Sequence, residues 1–454
     1  MTLDEYIESL RGRKIDIVGV GVSNAPLLRL LSEKGLDVTA RDKEEREAYG
    51  AKTVFGEKYL DGIDGDIIFR SPSIRPDLPE FLEARARGAQ ITSEMEVFFE
   101  LCPCTIIAVT GSDGKTTTTT LISELLKAAG ETVHLGGNIG KPLLTEVDSM
   151  MPGDYAVLEL SSFQLMSMKK SPHIAVVTNI SPNHLDIHKD MEEYIISKKN
   201  IFVHQRPEDV LVLNLDNEIT SRFASQANGE VRLFSREKPV RKGAYCLGGG
   251  VYRSGFGRTT RIMAAHTILI PGEHNIENYL AAIAAVGSLV PDNAIRNVAK
   301  SFAGVEHRIE LVRTVNGVKF YNDSIASSPS RTTAGLRSFK DKLILLAGGY
   351  DKHIPFDSLG PEICRHVKKL IVTGATAEAI KEAVEKAPQY EPGEPEIYME
   401  ENFDDAVRLA ASLAREGDTV LLSPACASFD CFKNFAERGD RFKELVNGLE
   451  NGID

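Results

Sequence analysis

Short aliphatic runs rich in β-branched residues recur along this chain, each closed by glycine, serine or asparagine and followed by apolar residues at helical spacing. Lys14 to Val20 (KIDIVGV) is the first such run. It breaks at Gly19-Val20-Gly21-Val22-Ser23-Asn24 and passes into a helical pattern through Leu27, Leu28, Leu30 and Leu31. Leu36 to Ala40 and Asp66 to Phe69 predict two further strands, with a helix from about Leu78. The pattern restarts at Thr105 and gives strands at Tyr155 to Leu160, Ile174 to Thr178 and Val210 to Asn214, of the apolar kind found inside parallel sheets. Glu230 to Ile270 is more irregular, with a glycine turn at Gly248-Gly249-Gly250, and precedes a helix over Asn275 to Leu289. Strands at Val318 to Tyr321, Leu343 to Ala347, Leu370 to Val372 and Thr419 to Leu422 follow, with a helix over Ala406 to Ala414.

The segment 106–120, IIAVTGSDGKTTTTT, carries the first candidate chemistry. Gly111 and Gly114 let backbone N–H groups turn toward an anion, Lys115 adds a point charge, and the Thr116 hydroxyl can ligate Mg²⁺. Val109 stands where the general phosphate-loop pattern has its first glycine, so the strand-loop-helix context carries the reading. The glycines at 19 and 21 compete with it. Asp42 lies about twenty residues beyond them, as in a dinucleotide site, but Asn24 replaces the third glycine of that fingerprint, and NAD(P) chemistry stays as an alternative. Over 454 residues the strands group into an α/β chain of three domains. These are an N-terminal Rossmann-like domain over 1–95, a central P-loop NTPase-like parallel sheet over 96–305 and a C-terminal Rossmann-like domain over 306–454.

Composition changes the picture in three ways. With 42% apolar and 26% charged residues, no long apolar run and no basic-then-apolar leader over Met1 to Lys14, a cytoplasmic enzyme without membrane insertion is expected. A net charge of −12 argues against a nucleic-acid surface, so the partners are small molecules, and any anionic substrate must be held by local cations and helix N-termini. The six cysteines lack the C-x-x-C spacing of a zinc site and are too sparse for a disulfide framework, which leaves reduced core or loop thiols.

Ligands of open parallel sheets bind beyond the carboxyl ends of the strands. Glu159 sits there, a carboxylate within an apolar run, which calls for a metal partner or for a turn to cap at Ser161-Ser162. His184 follows another strand and reads as a second metal ligand or a loop residue. Lys198, in IISKKNIF, reads by itself as a solvated helix lysine.

Taken in order, TGSDGKTTT, ELSSFQL, NHLDIH, SKKNIF, PGEHNIENYLAA, HRIE, NDS, GGYDK and LSPACASFDCFKNF resemble the Mur ligase family over essentially the whole chain. Its members are ATP-dependent enzymes that add amino acids to the peptidoglycan precursor. ELSSFQL and SPACASFDCFKNF are the forms of members that add D-glutamate to UDP-N-acetylmuramoyl-L-alanine, through an acyl phosphate. The resemblance implies ATP contacts at Gly111, Ser112, Asp113, Gly114, Lys115, Thr116 and Thr117. Asn275 and Asn278 share one helical face, with Asn278 toward adenine, while Arg308 reaches the γ-phosphate and Asp323 the ribose. It implies two Mg²⁺ ions, one at Thr116 and Glu159 and one at His184 and Lys198, the lysine modified to its N-carbamate. That modification turns an ammonium into an anionic oxygen ligand. Lys115, His184, Lys198 and Arg308 form the implied catalytic set. The nucleotide-sugar falls to Val20, Gly21, Val22, Ser23, Asp42, Ser71 and Asn138, with Ser161, Gln164 and His184 near its muramoyl-alanine end. D-glutamate falls to Lys352, Ser428, Phe429 and Phe435, and a monomer is expected.

Three positions depart from the family's pattern. Asp113 replaces the usual Asn, Ser73 stands in SPSI where glycine is common, and Ile325 follows Asn322-Asp323-Ser324 where many members have lysine. Arg331 is the candidate for restoring that missing charge. A folylpolyglutamate-synthase-like ligase is the alternative within the enzyme class, although such relatives lack the domain visible from Lys14 to Ser71. A nucleotide-binding module without turnover is the alternative outside it.

Overall fold

The aliphatic runs assemble into three sheets, seen in a computed structural model that describes residues 1–182, 187–255 and 257–450. In the first, Lys14–Val18 is central because Ile15, Ile17 and Val18 are all buried. Asp37–Asp42 and Ile67–Arg70 flank it in parallel, with Lys52–Phe55 and Gln90–Thr92 at the edges. In the second sheet Thr105–Thr110 lies between Ile174–Val177 and Tyr155–Glu159, and Val133–Gly137 closes one edge. Val210–Asn214, Glu230–Ser235 and Gly243–Leu247 extend the other side in parallel, followed by the antiparallel Gly250–Gly255 and Arg258–Ala264. The third sheet runs Glu310–Val315, Val318–Asn322, Thr419–Leu422, Leu343–Gly348, Val367–Thr373, Glu396–Met399, parallel after its first pair.

The chain divides into two compact units. Met1–Ala265 with Ile276–Val298 contains the first two sheets, and His266–Asn275 with the chain from Ala299 onward contains the third. Within the first unit one apolar core runs through both sheets, from Leu3, Ile7 and Leu10 to Leu143, Leu144 and Val147. Among the described residues no helix is long and apolar enough to cross a membrane. All six cysteines are free thiols.

The expected strands appear within a few residues of their predicted ends. The first stops at Val18 because Gly19 turns with φ 84°, where a Cβ would lie 2.5 Å from the Cβ of Ser71. The helix expected over Asn275 to Leu289 runs Glu273–Val286 and ends in a 3-10 turn at Gly287–Leu289. Lys52–Phe55, Gln90–Thr92, Val133–Gly137, Glu310–Val315 and Glu396–Met399 were not predicted, and all lie at sheet edges. An edge strand has a neighbour on one side only and stays partly in solvent, so it shows no unbroken apolar run.

The helix Glu94–Leu101, capped by the Ser93 hydroxyl, carries the chain from the first sheet to the second. Its first residue, Glu94, is buried and accepts the Leu144 N–H at 3.1 Å, and burial pushes its carboxyl up to about 7. A carboxyl raised by folding is harmless while protonated and destabilises as the pH climbs through the raised value. Glu94→Gln keeps the acceptor without the charge. It is expected to match the parent at about pH 4, below the unfolded carboxyl's value, and to exceed it by on the order of 1–3 kcal/mol at about pH 8.5 in denaturant melts. A difference that does not change with pH would contradict this.

Candidate active site

Thr105–Thr110 runs into Gly111, whose φ is 151° and whose Cβ would lie 1.9 Å from Thr178 Oγ1. Gly114, at φ 76°, precedes the helix Lys115–Ala128, and a Cβ there would meet Asn278 Oδ1 at 2.4 Å. The loop between them is fastened from outside. The Asp113 N–H donates to Asn179 Oδ1 at 2.9 Å, and its carbonyl accepts from Thr178 Oγ1 at 2.6 Å and Asn179 Nδ2 at 3.2 Å. The Ser112 hydroxyl donates to the Ser181 carbonyl and pairs with the Tyr194 hydroxyl, both at 2.9 Å. The helix Lys115–Ala128 starts directly after Gly114, and the positive end of a helix favours negative charge, which makes the loop an anion seat.

Two amines meet here. Lys115 Nζ donates to the carbonyl oxygens of Gly111 at 3.0 Å and Ser112 at 2.8 Å. Lys198 Nζ donates to the same Gly111 oxygen at 2.8 Å and to Thr110 Oγ1 at 3.3 Å, and lies 4.8 Å from the centre of the Tyr194 ring. The sequence alone made Lys198 a solvated lysine, and that expectation is wrong: the helix Met191–Lys199 turns it inward, one turn after Tyr194, to 2% exposure. Burial first, and the Lys115 charge second, hold its amine well below the usual lysine range.

Glu159 is paired with Val109 in the sheet register and is buried. Its Oε1 accepts from Asn138 Nδ2 at 2.8 Å, while Oε2 has no hydrogen-bond partner among the described residues. It does not cap the next turn. There the Ser161 hydroxyl accepts from the Gln164 N–H, and Gln164 Oε1 accepts from the Ser161 N–H, closing their own capping box. A buried carboxylate oxygen with no donor is costly unless a cation completes it, and a carboxylate oxygen is the hard donor that suits Mg²⁺. His184 lies outside the described residues. His188, just beyond, is buried, stacks on Phe163 and shares a 2.9 Å hydrogen bond with the Ser162 hydroxyl. Tyr194, Asn179 and His188 were missed by sequence reasoning. Tyr194 stands four positions before Lys198, and Asn179 directly follows a strand end, so both were open to notice.

At the carboxyl end of the first sheet the Val20 N–H donates to Asp42 Oδ2 at 2.7 Å. Asn24, in the place of a fingerprint glycine, is buried and ties the loop by donating to the Gly19 carbonyl at 2.9 Å. Gly21 and Val22 stand exposed and Ser23 is half-buried. The Ser71 hydroxyl pairs with that of Ser73 at 3.0 Å. Buried Arg70 donates to the carbonyls of Ser71, Pro72 and Ile74 and to the Ser167 hydroxyl, so a guanidinium shapes the SPSI turn without a glycine at 73. Asn278 accepts from Thr118 Oγ1 at 3.2 Å.

In the second unit Asn275 is buried and donates to the Pro271 carbonyl. Asp323 accepts from Ser423 Oγ at 2.8 Å and the Ile309 N–H at 3.3 Å, and burial pushes its carboxyl up to about 7 against that Ser423 bond and the Arg308 charge. Arg308 lies between His307 at φ 60° and Ile309 at φ 45°, two left-handed residues that are neither glycine nor asparagine, and its Nε has no partner among the described residues. Arg331 is exposed on the helix Pro329–Leu336 and donates to the Ile325 carbonyl at 3.2 Å. Arg438, also missed in the sequence, is buried and holds Ser324 Oγ and O together with the carbonyls of Cys426 and Ala427. One guanidinium thus fixes both the NDS and SPACAS turns. Next to it Ser428 is buried, whereas Lys352, Phe429 and Phe435 are exposed.

Comparison with known proteins gives the same assignment. Residues 109–286 match the Mur ligase middle domain, and residues 307–426 match the Mur ligase, glutamate ligase domain. The UDP-N-acetylmuramoylalanine--D-glutamate ligase of Acetivibrio thermocellus is 53% identical over 99% of this chain and 99% of its own. The enzyme of the same name from Ruminiclostridium cellulolyticum is 50% identical over 99% of each. A crystal structure of UDP-N-acetylmuramate-alanine ligase from Thermotoga maritima, 20% identical, shares the fold with a TM-score of 0.58 over 96% of this chain and 100% of that one. The chain belongs to the Mur ligase family.

Proposed function

We propose that this chain is a monomeric cytoplasmic enzyme that uses ATP to join the amine of D-glutamate to the alanyl carboxylate of UDP-N-acetylmuramoyl-L-alanine. One observation carries the chemistry: two lysine amines bonded to a single carbonyl oxygen at the head of a helix. In a chain of net charge −12 the Lys115 ammonium at this helix start is a local seat for a polyphosphate, and the Lys198 amine beside it is placed to become a metal ligand. The names of the relatives supply the substrates.

On this reading the phosphates lie along residues 111–117, and Lys115 moves from its loop carbonyls onto them. Thr116 and Glu159 would hold a first Mg²⁺, and Lys198 with His184 would hold a second. Bound there, Mg²⁺ neutralises charge on the transferring phosphoryl group. Burial and the Lys115 charge favour the neutral amine of Lys198, the form that adds CO₂ and loses a proton to give a carbamate. The alanyl carboxylate attacks the γ-phosphorus, the bond to the β,γ-bridging oxygen breaks and ADP leaves; this activation is needed because oxide cannot leave a carboxylate at neutral pH whereas phosphate can leave an acyl phosphate. The D-glutamate amine then adds to the acyl carbon, and phosphate departs from the tetrahedral intermediate. The residues of the chain contribute alignment and charge. Val20 to Ser23, Asp42, Ser71, Asn138, Ser161 and Gln164 are the candidate nucleotide-sugar contacts. Asn275, Asn278, Arg308 and Asp323 are candidates for ATP, and Lys352, Ser428, Phe429 and Phe435 for D-glutamate.

Phosphate release is expected only when ATP, UDP-N-acetylmuramoyl-L-alanine and D-glutamate are all present, and Lys115→Ala is expected to lower it by about 10²- to 10³-fold. Release without the nucleotide-sugar, or an undiminished Lys115→Ala, would overturn the assignment. Arg331 reaches back to Ile325, and its charge acts on Asp323. Arg331→Ala should therefore lower kcat or raise a KM for ATP or D-glutamate by about tenfold, the loss of one charged contact. Steady-state constants identical to the parent's would show that Arg331 compensates for nothing.

A further inference from the structure

A second group of reactive side chains lies at the opposite end of the central sheet. In the register Thr105 pairs with Tyr155, and Tyr155 with Val133. Cys104 and Asp154, each one residue before its strand, and His134, the second residue of the edge strand, are thereby drawn together although far apart in sequence. Their ligand atoms all lie within 4.8 Å of one another, with His134 Nε2 2.9 Å from Asp154 Oδ2. Cys104 is 2% exposed, while the side chains of His134 and Asp154 are 21% and 14% exposed, so an ion can enter from solvent. The Cys104 thiol donates to the Met151 carbonyl at 3.5 Å, so it lies at the turn that precedes Tyr155–Glu159. Gly111 and Glu159 close the other ends of these strands, about 15–20 Å away at the usual rise per residue. None of the three residues is among the candidate contacts for ATP, nucleotide-sugar or D-glutamate.

We propose that Cys104, His134 and Asp154 form a three-ligand binding site, with water as the fourth donor, for a divalent transition-metal ion of the Zn²⁺ class. Bonds of about 2.0–2.3 Å place tetrahedral zinc donors within about 4 Å of one another, a spacing close to that of this cluster. Thiolate and imidazole donors select zinc-like ions over Mg²⁺, which favours all-oxygen sites. On binding, the ion takes the place of the proton now shared by His134 and Asp154, and the Cys104 thiol proton passes to water. The ion ties the turn after the helix Glu94–Leu101 and the start of Tyr155–Glu159 to the edge strand Val133–Gly137. The far end of that strand leads to Asn138, which holds Glu159.

The test is a Co²⁺ titration of the tag-free, full-length, metal-free chain. A thiolate-to-cobalt charge-transfer band and strong tetrahedral d–d bands are expected at one equivalent, and Zn²⁺ should displace both. Cys104→Ser and His134→Ala should each weaken binding by about tenfold or more. Cys431→Ser, which removes the exposed thiol, should leave the bands unchanged. Absence of the bands in the parent chain would overturn the site, as would bands that survive Cys104→Ser and His134→Ala or disappear with Cys431→Ser. Should the first two variants fail to fold, the parent and Cys431→Ser spectra decide. Bands in both that Zn²⁺ removes sustain the site, and their absence refutes it.

Discussion

Two lysine amines converge on one backbone oxygen, and the rest of the site depends on that constraint. Lys115 and Lys198 both donate to the Gly111 carbonyl, and burial first, with the Lys115 charge second, drives Lys198 toward its neutral form. Glu159 and Asp113 offset the repulsion only in part. A polyanion offsets it far better, because charges at this range interact by several kcal/mol at the effective dielectric near a protein surface, about 20. The convergence requires Gly111, since any side chain there would displace Thr178. It also requires the helix Met191–Lys199 to hold its angle. Asp190 caps that helix, and Arg75, just beyond the last residues of the SPSI turn, grips Glu193 with bonds of 3.0 and 2.8 Å. The first sheet thus helps to aim a lysine of the second.

The central strands and the phosphate loop were legible in the sequence because both faces of those strands are buried and their apolar runs end abruptly at glycine. Edge strands such as Val133–Gly137 were not, since partial exposure breaks the pattern. Lys198 shows why single residues mislead. A lysine among polar helix positions looks solvated whatever it faces, and only the fold shows that its face is the one against Thr110 and Gly111. Arg70 and Arg438 were hidden for a related reason. Each is buried among backbone carbonyl oxygens, whose positions no side-chain pattern encodes. The motif order, by contrast, carried the family, because nine matched segments in sequence constrain far more than any one of them.

The central sheet presents different chemistry at its two ends. Hydroxyls, a carboxylate and amines crowd the carboxyl ends of the strands, a setting for hard cations and phosphate. Thiols and an imidazole gather at the amino ends, a setting for softer ions. The second group matches no spacing motif, and strand register alone assembles it. Val133–Gly137 runs from one end to the other, with His134 near its start and Asn138 just past its finish, so bracing one end of this strand also steadies the contact that orients Glu159.

One oxygen atom decides whether the carboxylate is phosphorylated before the amide forms. UDP-N-acetylmuramoyl-L-alanine labelled with oxygen-18 in its alanyl carboxylate is turned over with ATP and D-glutamate, and the released inorganic phosphate is analysed by mass. The expected result is one labelled oxygen in that phosphate, carried from the acyl phosphate when the amine displaces it. Phosphate free of label, formed alongside amide product, would contradict the proposed chemistry.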